Sequence, residues 1–255
     1  MARNTRQIVV AVSVVLVGLV LAGSAYALGR TSGEPLNAMP SAPPVEEVPA
    51  GEPPAEELTP VSPKAVPSAG SGAFTTASGQ GPRFGTRGRY VRYVVQVEVG
   101  SGVEPAAFAA AVDETLSHAL GWTAAGRWSF QRFSTGPTEL TILLASAVTT
   151  QRLCDSQGLL TRGETSCRVG RNAVINLKRW QLAVPWYSGK LREYQHMVVN
   201  HEVGHFIGFG HVLCPGNGQL APVMQRQTYG MQGCTTNSWP YPRGTELWSG
   251  PPAPK

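Results

Sequence analysis

The sequence predicts an α+β domain with one core, carried behind a membrane-spanning segment and a disordered spacer. All six Trp, all four Cys and all five His of the 255 residues fall between residues 83 and 255. Within that stretch, short alternating or β-branched runs are interspersed with two segments of helical periodicity, the pattern of a mixed α and β domain. The preceding residues 29–82 hold 11 of the 21 Pro and 6 of the 14 Glu, with Phe74 as their only aromatic. Such a composition buries too little apolar surface to offset its ordering entropy.

Taken in order, residues 1–28 come first. Ile8 to Leu28 carries no charge, and as a helix it would be about 31 Å long, enough to cross a bilayer core. Arg3 and Arg6 precede it and only Arg30 follows closely, a bias that keeps the N-terminus in the cytoplasm and sends the rest outward. The expected protein is therefore a single-pass membrane protein with an extracytoplasmic C-terminal domain. Ala25-Tyr26-Ala27 also reads as a signal-peptidase site, so secretion after cleavage near Ala27 is the alternative. Residues 29–82 are the spacer, and residues 83–255 the folded domain.

In that domain Tyr90 to Val99 alternates and is β-branched, so it is a strand. Pro105 to Leu120 is Ala-rich with helical spacing, stopped by Gly121. Arg127 to Phe133, Glu139 to Leu144 and Asn172 to Leu177 read as strands. Lys190 to Gly208 is a second long helix, with apolar residues on all sides, and should be buried.

The formal charge of +5 is a sum of unlike parts. The spacer carries six Glu against Arg30 and Lys64, a net of −4, and the domain carries 17 basic against 10 acidic residues, a net of +7. Arg83, Arg87, Arg89 and Arg92 are interleaved with Phe84, Tyr90 and Tyr93, which could suggest nucleic acid. The export signal argues against that, and the cluster reads as a solvated basic linker end. No nucleic-acid partner is expected; the membrane is, through the N-terminal helix.

Four Cys in an exported chain imply two disulfides. Spacing favours Cys154 with Cys167 and Cys214 with Cys234, each closing a loop of about 12–20 residues and contributing on the order of 3 kcal/mol. No pair has the short spacing of a zinc knuckle.

The chemistry is concentrated in His201-Glu202-Val203-Gly204-His205-Phe206-Ile207-Gly208-Phe209-Gly210-His211. His201 and His205 are one helical turn apart on one face and can grip one metal ion. Glu202 sits about 100° round the helix, where its side chain can reach a metal-activated water without being a ligand. His211 would face elsewhere on a straight helix. The chain must therefore leave the helix between His205 and His211, and Gly208 can take the left-handed conformation that ends helices. Five fixed positions of this kind recur by chance in about one chain in 10⁵. Three His ligands leave a fourth position open, as a catalytic zinc site requires.

This H-E-x-x-H-x-x-G-x-x-H pattern resembles the metzincin metalloendopeptidases. The resemblance implies a zincin fold with a twisted mixed sheet, a long active-site helix and a tight turn bearing a Met beneath the three His. Met224 matches that Met-turn, with Met231 as second candidate, and Cys214 and Cys234 bracket it. The combination of anchor, spacer, paired Cys and motif also resembles an uncharacterised actinobacterial family of exported, membrane-anchored metzincin-like proteins. The match covers about His201 to Cys234. Val212 follows the third His where several metzincins place a family-marking residue, and Tyr229 lies five residues after Met224 rather than two, so no subfamily is implied.

What the resemblance implies is a zinc hydrolase that uses one Zn²⁺ ion, with Glu202 as general base towards an extended peptide or protein substrate lying along a sheet edge. The expected edge is the strand Asn172 to Leu177 or the segment Cys167 to Arg171. Trp180, Trp186 and Tyr187 either line a subsite or pack in the core. A non-catalytic zinc-stabilised extracellular binding module, or a zinc amidase acting on cell-wall peptide, is the alternative function.

Overall fold

A computed structural model describes residues 66–254. The segment Ile8 to Leu28, the cleavage site near Ala27 and most of the spacer lie outside the described residues. Among the described residues no helix is long and apolar enough to cross a membrane. Among the described residues there are seven strands, four α-helices and one short 3-10 helix, in the order β1 (Phe74–Thr76), β2 (Arg83–Phe84), β3 (Arg89–Glu98), α1 (Pro105–Ser117), β4 (Trp128–Arg132), β5 (Leu140–Ala145), α2 (Ala147–Asp155), β6 (Cys167–Val169), β7 (Asn172–Asn176), α3 (Leu177–Leu182), the 3-10 helix Pro185–Tyr187 and α4 (Leu191–Phe206).

The strands form one mixed sheet in the order β2-β4-β3-β5-β7-β6, with β1 pairing β3 beside that path. β3 runs parallel to β4 and β5, and β5 parallel to β7. β1, β2 and β6 are antiparallel to their partners. β5 (Leu-Thr-Ile-Leu-Leu-Ala) is buried throughout, which is why it reads as a near-continuous apolar run. Its alternate residues serve two cores. Leu140, Ile142 and Leu144 join the main core, which includes α1 and α4, whereas Leu143 and Ala145 join a smaller one with Val174, Cys154 and Cys167.

The disulfides Cys154–Cys167 and Cys214–Cys234 are both formed, in the pairing that spacing favoured. The first ties α2 to β6 on the smaller-core face. α1 ends at Ser117 rather than Leu120, because His118 is extended and its ring nitrogen Nδ1 accepts from the Leu120 amide. α2 and α3 are additional to the elements the sequence pattern predicts; each is short and starts at a side-chain cap, Ser146 and Asn176 respectively.

The expected domain boundary at residue 83 shifts towards the N-terminus. Residues 66–82, assigned by composition to the spacer, are part of the fold: β1 pairs with the end of β3 and Ala77 is buried. The arm is tied down by the Ser68 carbonyl on the Val148 amide, the Gly70 amide on the Ser146 hydroxyl, and above all by Glu98, a carboxylate that is only 1 % exposed. It accepts from the Gly72 amide (2.8 Å), the Ser146 amide (2.7 Å) and the Thr149 hydroxyl (2.6 Å). Burial raises its pKa, but these hydrogen bonds outweigh burial and leave it below the usual carboxylate range. One side chain thus clamps the N-terminal arm to the start of α2. Glu98→Ala should lose about 2–4 kcal/mol in denaturant unfolding, because buried donors to a charged acceptor are left unmet. Protease cutting should then begin near residue 72; an unchanged unfolding midpoint would refute the clamp.

The basic cluster also differs from the expected linker end. Arg83, Arg89 and Arg92 lie in strands, over the rings of Tyr90, Trp128 and Phe133 at 4.5, 5.6 and 3.9 Å. The arginine–aromatic interleaving is therefore cation–π packing on the sheet.

Candidate metal centre

α4 presents the first two histidines. It is buried continuously from Tyr194 to Gly204, as its all-round apolar pattern requires, and it packs on α1, α3, β6 and β7. The helix stops at Phe206. Gly208 has φ +105°, outside the comfortable range of other residues, and the Phe209 amide closes the turn onto the Gly204 carbonyl at 2.9 Å. This reversal brings His211 back to the face that carries His201 and His205.

The three Nε2 atoms form a tight triangle. His205 lies 3.1 Å from both His201 and His211, and these two are 3.3 Å apart. His201 Nδ1 is 2.8 Å from the Val223 carbonyl and His205 Nδ1 is 2.9 Å from the Phe209 carbonyl. A carbonyl only accepts, so each Nδ1 carries the proton and each Nε2 presents a lone pair. Two lone pairs facing each other at this distance repel unless a cation lies between them. The His201, His205 and His211 side chains can together hold one metal ion.

Burial keeps the imidazoles neutral. Burial, with His205 and His211 adding, holds His201 well below its usual range, and burial with His205 and Arg226 brings His211 to about 4. His205 is lowered chiefly by burial, as are His118 and His196, the last to about 4. Below about pH 6.5 an unfolded chain binds protons at these groups more readily than the folded one does. Stability therefore falls as pH drops from about 6.5 towards 4, by about 1.4 kcal/mol per pH unit for each buried imidazole kept neutral. Glu202 acts in the opposite sense, since its raised pKa favours the protonated fold below about 8. One carboxyl does not offset His196, His201 and His211 together, so the urea midpoint of the metal-free protein should be lower at pH 5 than at pH 7. Equal midpoints would contradict the burial of these histidines.

Glu202 is 3 % exposed and faces the same cleft, and its Oε2 has no hydrogen-bond partner among the described residues. Burial, opposed by the Arg168 guanidinium, pushes its pKa up to about 8. Beneath the histidines lies Met224, buried against α4 at Gly204. The preceding Val223 supplies the carbonyl that orients His201, and the Met224 carbonyl accepts from the Val212 amide at 3.3 Å. Cys214–Cys234 closes the segment that contains this turn. Met231, the second candidate, is only partly buried, and its carbonyl accepts from the Gln225 side chain at 2.9 Å.

The cleft above the histidines has a volume of about 340 Å³. Cys167 and Arg168 of β6 form part of its wall. β6 ends the sheet, whereas β7 is paired on both sides, so of the two expected edges only the segment at Cys167 is one. Trp180, Trp186 and Tyr187 do not line the cleft. Trp180 packs edge-on against Phe108 at 4.8 Å, Tyr187 is buried and donates to Gln227, and Trp186 donates to the Gln227 carbonyl.

Sequence reasoning missed Gly204, Trp122, Arg168 and Arg226. A glycine inside a buried helix costs about 1 kcal/mol relative to alanine and so signals close packing; here the neighbours are Met224 and Trp122. Trp122 is buried, donates to the Asn200 carbonyl at 2.9 Å and stacks on Phe209. No local pattern marks it or the two arginines. A family model described as "Protein of unknown function (DUF3152)" matches residues 61–242, a span that includes all three histidines, Glu202, Met224 and both disulfides. No curated protein and no solved structure matches the chain.

Proposed function

This chain belongs to the DUF3152 family, and we propose that it is a zinc-dependent metalloendopeptidase of metzincin type, acting outside the cell on peptide or protein substrates. The observation that carries the reading is the convergence of three Nε2 atoms, two of them with lone pairs fixed by backbone carbonyls, beside a buried carboxyl whose Oε2 has no partner among the described residues, at the base of an open cleft. Tetrahedral zinc at about 2.0–2.1 Å from each nitrogen needs nitrogens about 3.3–3.4 Å apart. The 3.1–3.3 Å triangle fits that requirement with little adjustment. His201, His205 and His211 would hold the ion, and two of them are already oriented by backbone carbonyls.

When bound, zinc supplies Lewis acidity that polarises a scissile carbonyl and makes water nucleophilic at neutral pH. The chain supplies the rest. Glu202, one residue from the first ligand, takes the proton of the attacking water and returns it to the leaving amine. A neighbouring dication favours its ionised form, against the burial that raises its pKa. β6 offers a free edge along which an extended peptide can pair, and Met224 with Trp122 fixes the height of α4 beneath the site. Two disulfides suit an oxidising compartment, in keeping with an N-terminal export segment and a site of action at or beyond the cell membrane.

The test combines metal analysis with digestion of a peptide library, comparing the wild-type chain with Glu202→Ala. Both proteins should hold one zinc per chain, and the variant should lose at least about 10³-fold in hydrolysis, as expected when a general base is removed from a preorganised site. A wild-type protein that holds zinc but cleaves nothing is a binding module instead. A preparation that binds no zinc refutes the metal assignment.

A further inference from the structure

We propose that the cleft selects substrates bearing a carboxylate close to the scissile bond, held by Arg168 and Arg226, so that the preferred ligand is an acidic peptide. This rests on the peptidase reading and names the substrate class of the same site. The lining contains two guanidiniums and only one acidic residue, Glu202, which is 3 % exposed and lies at the base. Arg168 and Arg226 are both exposed, and among the described residues neither forms an ion pair with a carboxylate. In this they differ from Arg132, Arg179 and Arg192, each of which has an acidic partner.

Their placement follows from the fold. In β6, Cys167 is opposite Val174 and Arg168 opposite Ala173. Val174 and Cys167 belong to the smaller core, whereas Ala173 belongs to the main core, on the α4 side of the sheet. Strand alternation therefore sends Cys167 into its disulfide and turns Arg168 towards the side that carries the histidines. Arg226 comes from a different element, two residues after Met224 in the turn beneath the site. Both arginines line the cleft together with His201, His205 and His211.

Leu159 and Leu160, 42 % and 76 % exposed, line the same cleft from the loop closed by Cys154–Cys167. A carboxylate flanked by an apolar residue meets both features: the guanidiniums bind it through charge-assisted hydrogen bonds, and the leucines cover the apolar neighbour. A basic peptide would bring like charge against two arginines with no acidic residue at the rim to offset them.

The experiment measures binding separately from turnover. The zinc-loaded full chain carrying Glu202→Gln is titrated into three fluorescein-labelled octapeptide pools, and anisotropy is recorded. Every degenerate position is drawn from Gly, Ala and Leu together with Glu in the first pool, Gln in the second or Lys in the third. The Glu pool should bind about tenfold more tightly than the Gln pool, and the Lys pool most weakly, with the preference shrinking as salt rises. Arg168→Gln and Arg226→Gln, added singly, should each remove most of the preference without changing zinc content or melting temperature. Reversing both charges with Arg168→Glu and Arg226→Glu should favour the Lys pool.

Equal binding of the Glu and Gln pools, or a preference that survives both neutral variants, overturns the proposal. Hydrolysis of the same pools by the wild-type chain is scored independently. If it cleaves peptides while the pools bind alike, only the acidic preference fails. If the Glu pool is preferred through the arginines and nothing is cleaved, the acidic-ligand site stands and the peptidase reading fails.

Discussion

Zinc added to the metal-free chain is expected to raise its unfolding free energy by about 4 kcal/mol at free zinc 1,000 times the dissociation constant. The triangle of Nε2 atoms at 3.1–3.3 Å supplies the reason. Two of these atoms present lone pairs because their Nδ1 protons are committed to the Val223 and Phe209 carbonyls. Without a cation this is electrostatic repulsion at the end of a buried helix; with one, the same preorganisation becomes binding energy. His201→Ala, His205→Ala and His211→Ala should each abolish most of the shift, read as the difference in urea midpoint with zinc and with chelator. Magnesium should not substitute, since it prefers oxygen ligands in octahedral array. A chain whose midpoint ignores zinc would show that the triangle is ordinary histidine packing.

Gly204→Ala should destabilise the protein by about 1–3 kcal/mol, although alanine in an ordinary helix interior gains about 1 kcal/mol over glycine. The added methyl would run into the Met224 thioether and come within 2.8 Å of Trp122 Cζ2. Met224 can bend away, but Trp122 is buried and its indole N–H is fixed on the Asn200 carbonyl. The helix must therefore rise or the turn must sink, and either displacement pulls the Val223 carbonyl from His201. Zinc affinity should fall together with stability. Combining Gly204→Ala with Met224→Ala should cost less than the sum of the single changes, because the truncated side chain leaves room for the methyl. Strict additivity would show that the two residues do not share this contact.

Much of the site was legible in the sequence because its information is local. The i, i+4 histidines, the adjacent Glu202 and the break at Gly208 lie within eleven residues, and helical geometry alone relates most of them. The two disulfides were legible from spacing, and the long strands and helices from periodicity. What escaped notice depends on distant segments. Trp122 reaches α4 from a turn after α1, and Arg168 faces the site only because β6 pairs with β7 in one particular register. The N-terminal arm was misread for a related reason. Its composition is that of a linker, and its order comes from distant partners: Glu98, 26 residues beyond Gly72, Ser146 on the Gly70 amide, and β3 against β1.

That clamp has a mechanical consequence. A pull from the N-terminal end enters the domain at Val66 and reaches β1 before any other strand. β1 is joined to β3 through three residue pairs, whereas β3 remains joined to β5 through five more and to β4 on its other half. Under tension the arm should peel off once the Glu98 contacts give way, while β5 and β7 continue to support α4. Such a pull would be taken up by the arm first, leaving the three histidines in place.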